Sequence, residues 1–89
     1  MRLKDVPKEM RERIIRAMDR TWDTIASDVL EANDGKDLPR NHVIEIVLDA
    51  DHIHYHGEDE EAYKVLKELP YSAKMALGKE AFKCRFYGL

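Results

Sequence analysis

The chain has 89 residues, 37% of them charged and 44% hydrophobic, with a net charge of −3. That length holds one small domain rather than two, with a thin core that buries roughly 60–65% of the unfolded surface. Periodic apolar residues argue against disorder, no apolar run nears the roughly 18 residues of a membrane span, and the lone cysteine, Cys84, excludes an intrachain disulfide and fits a reducing, cytoplasmic compartment.

Residues 1–6 read as a short arm, and the opening MRLKDVPKEM lacks a signal-peptide core. Pro7 suits a first helical turn. A first helix is expected near residues 7–32, and from Pro7 to about Leu30 the pattern is strongly helical: Met10, Ile14, Ile15, Met18, Trp22, Ile25, Ala26 and Val29 share about half of the wheel, with Ala17 and Thr21 at its edge. Arg13, Arg16, Asp19, Arg20, Asp23, Ser27 and Glu31 take the other half, where Glu9–Arg13, Glu12–Arg16 and Arg16–Asp19 are spaced for local ion pairs. Ile15, Met18, Trp22, Ile25, Val29 and Ala32 follow three-four spacing over too short a run for a coiled coil. A 24-residue helix spans roughly 36 Å, longer than the about 31 Å diameter of a compact domain of this size. The first helix is therefore expected to overhang, bend or pair with a second copy in a homodimer.

ANDGKDLPRN, residues 32–41, is the clearest loop. The stretch His42–His56, HVIEIVLDADHIHYH, follows. As a helix over 40–54 it places Val43, Ile44, Val47 and Leu48 on one arc and Glu45, Asp49, His52 and His56 on the other, with Gly57 as a stop. Asp51 and His54 fall on the apolar arc, so regular helix is expected to fray before Gly57. Its β-branched residues admit an α+β alternative, with residues 42–56 as a strand or hairpin. A third helix over 59–69 carries an acidic start and a buried stripe of Ala62, Val65, Leu66 and Leu69, and Pro70 ends it. Ser72 can cap a fourth helix over 73–82, with Tyr71 stapled to Ala76. KCRFYGL, residues 83–89, reads as a second short arm. The expected fold is all-α, a bundle of four helices around Ile14, Met18, Trp22, Ile25, Val29, Val43, Val47, Leu48, Leu66 and Leu77.

Charge is segregated along the chain: residues 1–40 balance at zero, 41–63 carry −7 with no Lys or Arg, and 64–89 carry +4. The acidic middle and the basic tail can face a partner, or each other. The one cluster of potential ligands is the stripe Glu45, Asp49, His52 and His56, whose helical spacing suits a divalent metal but equally describes a solvated helix face. If the region were extended, His52, His54 and His56 would share one side of a strand, and acidic neighbours give these imidazoles a pH response without any metal. Trp22 reads as a core anchor or an interface hot spot. The third and fourth helices also admit a helix-turn-helix reading offering Lys74, Lys79 and Lys83 to DNA, but the segment lacks the residue types that read bases. No phosphate loop, dinucleotide motif or nucleophile elbow occurs.

The segment Arg40-Asn-His-Val-Ile-Glu-Ile-Val-Leu-Asp-Ala50, with the closing Phe86-Tyr87-Gly88, resembles small helical proteins of bacteriophages and other mobile elements. That resemblance implies binding to a host or phage protein. The expected function is a small, acidic, non-enzymatic protein-interaction module with no cofactor, contacting its partner through Trp22, Glu58, Asp59, Glu60, Glu61, Lys79, Lys83 or Arg85. The alternatives are a DNA-binding helix-turn-helix protein, and a metal-binding or metal-dependent enzyme using the Glu45/Asp49/His52/His56 stripe.

Overall fold

The structure is a computed structural model that describes residues 2–32 and 40–87, and among these the side chains outside 26–32, 50–51 and 86–87. A 3-10 turn, Leu3–Asp5, leads into α1 (Lys8–Ala32), α2 (Arg40–Leu48), α3 (Ala50–His56), α4 (Glu60–Glu68) and α5 (Tyr71–Tyr87). The described residues contain no strand, so the fold is all-α and the strand or hairpin over 42–56 does not form.

α1 is the spine, and α2, α3, α4 and α5 all pack on it. Its 25 residues extend roughly 37 Å at 1.5 Å per residue. The molecule measures 39 × 24 × 21 Å, so its long dimension is essentially this one helix. The buried arc of α1 holds Ile14, Ala17, Met18, Thr21, Trp22 and Ile25, about 140° of the wheel. It is turned toward Ala17 and Thr21, expected only at the edge, while Met10 and Ile15 are half-buried. Thr21 is tolerated at full burial because its hydroxyl donates to the Ala17 carbonyl at 2.8 Å. Met18, Trp22 and Ile25, half of the three-four-spaced seam, are covered by the chain's own helices. The side chains of Val29 and Ala32, and residues 33–39 of the loop expected over 32–41, lie outside the described residues.

The helix expected over 40–54 is two helices. The amide of Asp49 donates to Ile46 O at 3.2 Å, a tight closure that ends α2, and Ile53 N then donates to Asp49 O at 3.2 Å as α3 begins. The break resets the register, and Ile53, absent from the expected core, becomes 2% exposed. Each such fully buried aliphatic side chain contributes about 1.5–3 kcal/mol. Val43, Val47, Leu66 and Leu77 are buried as expected, Ile44 joins them, and Leu48 is half-buried.

Two further differences have local causes. The opening residues are not a loose arm: Val6 is 3% exposed, held by its amide donating to Leu3 O at 3.0 Å. α5 starts directly after Pro70, whose carbonyl accepts from Lys74 N at 3.0 Å, so Ser72 lies inside the helix rather than capping it. At its other end α5 runs through the expected second arm to Tyr87. Phe82 packs edge-on against Trp22 at 5.8 Å between ring centroids, and Arg85 pairs with Asp23 and, at 3.5 Å, with Asp19 of α1. Arg85 of the basic tail is thus tied to α1.

Candidate functional sites: an imidazole–tyrosine face and an arginine-lined cleft

The break at Asp49 decides what the histidine stripe becomes. Glu45 stays on α2 and accepts a 2.6 Å hydrogen bond from the Tyr71 hydroxyl of α5. That carboxylate holds the Tyr71 phenol proton on, above its ordinary pKa. Asp49 remains beside His52, 3.4 Å from Oδ1 to Nδ1, and His52 faces His56 with ring centroids 6.1 Å apart. Among the described residues no group of three or more His, Cys, Asp or Glu side chains is placed to hold a metal ion.

α3 turns Ile53 inward and leaves His54 and Tyr55 on the surface. The His54 ring lies 5.0 Å from Tyr55 and 5.1 Å from Tyr63 of α4, centroid to centroid. Tyr55 is 71% exposed. Glu60, three residues before Tyr63 and so on the same side of α4, is exposed, as is Glu58 in the preceding turn. Glu58 adopts φ 59°, the left-handed region, to swing the chain from α3 into α4.

Arg13 of α1 binds the start of α4. Its Nε donates to Asp59 Oδ2 at 3.0 Å and its Nη2 to Asp59 Oδ1 at 2.8 Å, a two-pronged pair, while Nη1 reaches Glu61 at 3.2 Å. Asp59 also caps α4 by accepting from Ala62 N at 3.1 Å. The Arg13 hydrogen bond, above all, holds the Asp59 carboxyl below its ordinary pKa, and Asp59 and Glu61 in turn raise that of Arg13. The local pairs expected at Glu9–Arg13 and Arg16–Asp19 give way to these tertiary ones, Arg13 to Asp59 and Asp19 to Arg85.

Beside the Arg13–Asp59 pair lies a cleft of about 290 Å³ lined by Arg13, Arg16, Ala17, Arg20 and Asp59. Arg16 Nε donates to the Glu12 carbonyl at 3.4 Å instead of pairing with the Glu12 carboxylate. Among the described residues no carboxylate stands within salt-bridge distance of Arg16 or Arg20. The row was legible as three arginines at i, i+3 and i+7 within about 60° of the wheel, but it read as part of a solvated half.

The expected partner-binding residues separate on this geometry. Trp22 is 3% exposed and is part of the core. Arg85, Asp59 and Glu61 are engaged within the chain. Glu58, Glu60 and Lys83 are exposed, and Lys79 is half-buried on α5. α4 packs on α1 and α3, and α5 packs on α1 and α2. No described helix is long and apolar enough to cross a membrane. No known protein family, curated protein or solved structure matches this chain.

Proposed function

We propose that this protein is a small non-enzymatic binding module that docks a basic segment of a partner protein on the α3–α4 face. The observation that carries the reading is Tyr55, 71% exposed beside His54, which itself packs on Tyr63. Tyrosine offers a large contact area with a polar tip and is enriched where proteins meet. Charge supplies the partner's sign: residues 41–63 carry seven acids and no Lys or Arg, and Glu58 and Glu60 flank the aromatic group on the surface. A lysine- or arginine-rich segment would lay its aliphatic stems on the rings and its charges on the glutamates.

The test is affinity capture from a nuclease-treated cell extract at low and high salt, with the parent chain and a His54→Ala/Tyr55→Ala variant. The expected result is a basic protein retained at low salt, released at high salt, and lost in the variant. Capture that ignores the variant, or that consists only of nucleic acid, refutes the assignment.

A further inference from the structure

We infer that the cleft between α1 and the start of α4 is a binding site for a phosphate monoester group, held by Arg16 and Arg20. This site is separate from the α3–α4 face and does not depend on it.

The argument begins with charge. Arg16 and Arg20 lie one turn apart on α1, and like charges at that spacing destabilise a helix. No described carboxylate pairs with them directly, although the Asp59 charge is near enough to attract Arg20. The nearest candidate, Asp59, has both carboxylate oxygens occupied, Oδ2 by Arg13 Nε and Oδ1 by Arg13 Nη2 and Ala62 N. Arg13 thereby neutralises the acid that would otherwise repel an anion from the cleft. Its third nitrogen is on Glu61. Arg13 is thus a positioning residue, and the free donors belong to Arg16 and Arg20.

Shape and chemistry then narrow the ligand. At about 290 Å³ the cleft is at the small end of ligand sites. Ala17, buried at 3% exposure, contributes only a methyl to its lining, so its polar groups are the arginine forks and the Asp59 carboxylate that Arg13 already holds. A guanidinium fork takes two oxygens of an oxyanion side by side. A monocarboxylate has two oxygens and saturates one fork. A phosphate monoester has three free oxygens and close to two negative charges at neutral pH, which matches two forks and their two positive charges. The remainder of the ligand lies outside the cleft, so a free metabolite and a phosphorylated side chain present the same group.

The test is a titration of the intact chain with inorganic phosphate, O-phosphoserine and phenyl phosphate, against acetate at matched ionic strength, read by the arginine Nε–H resonances in nitrogen-15 NMR. The expected result is saturable binding of the phosphates, with Arg16 and Arg20 resonances moving, and at most a weak response to acetate. The Arg16→Gln/Arg20→Gln variant weakens binding by at least about tenfold, whereas Lys64→Gln/Lys67→Gln, the same charge change on the exposed side of α4, leaves it within about twofold. Because Arg16 and Arg20 are exposed and make no direct ion pair, and their mutual repulsion offsets the attraction of Arg20 to Asp59, the double variant keeps its helical circular dichroism and a melting temperature close to the parent's. Tighter binding of phosphoserine than of phenyl phosphate assigns the site to a modified side chain, and the reverse order assigns it to a small aryl ester. Phosphate responses equal to those of acetate, or unaltered in the double variant, overturn the inference.

Discussion

Alanine in place of Gly78 should destabilise this protein, although the same change in an ordinary helix interior stabilises by about 1 kcal/mol. Gly78 is a buried residue of α5. A Cβ there would overlap Ile44 Cγ2 of α2 and stand 3.5 Å from Ile44 Cβ and 3.6 Å from Cγ1. Ile44 is 0% exposed, and its branch at Cβ leaves it little freedom to rotate away. The added methyl must therefore push α5 from α2, an overpacking that costs about 1–3 kcal/mol. Set against the propensity gain, the net loss reaches about 2 kcal/mol, and each kcal/mol lowers the melting temperature by roughly 4–8 °C. Urea unfolding followed by far-ultraviolet circular dichroism measures it. A double-mutant cycle isolates the cause. Ile44→Ala alone costs about 2–5 kcal/mol, but it removes the Cγ2 that blocks the new methyl. The Gly78→Ala/Ile44→Ala variant should then be more stable than the summed single losses imply, by about 1–3 kcal/mol. A Gly78→Ala protein more stable than the parent, or an additive cycle, refutes the close α2–α5 packing.

Further expectations concern the ends of the helices. Asp59→Ala removes the α4 cap and should cost about 1 kcal/mol or more, while Asp59→Asn keeps the cap and loses only the charge pair with Arg13, so urea midpoints should rank parent, Asn, Ala. Since Arg13 lowers the Asp59 pKa, the stabilisation is complete above the unfolded carboxyl's value of about 4 and disappears as pH falls through the folded value. Arg13→Gln should flatten that acid limb, and an unchanged acid titration of stability in this variant counts against the coupling. Glu58→Gly should relieve the left-handed backbone of the α3–α4 turn and stabilise by about 0.5 kcal/mol, net of the entropy glycine adds to the unfolded chain; a loss of stability in thermal melts contradicts this. Arg85→Ala should speed amide exchange over the last turn of α5 and leave the middle of α1 protected; uniform exchange along α5 in both proteins refutes the anchoring role.

The helices themselves were legible in local pattern. The apolar spacing of α1, the acidic start of α4 and the stop at Pro70 are properties of adjacent residues and mark those helices whatever they pack against, whereas the β-branched stretch over 42–56 left helix and strand both open. Tertiary structure decided whatever depends on residues far apart in sequence. The break at Asp49 turns Ile53 inward and divides the histidine stripe, because core contact outweighs the continuation of a single helix. α5 outlasts its own weak pattern because Phe82 meets Trp22 and Arg85 meets Asp19 and Asp23, partners more than fifty residues away. Arg13 leaves Glu9 for Asp59 and Glu61 because a two-pronged, half-buried pair at a helix start is stronger than an exposed pair along one helix. That exchange makes a row of surface arginines into one satisfied residue and two open ones. Spacing alone could place the row on α1, but only the arrival of α4 beside it defines which charges are answered.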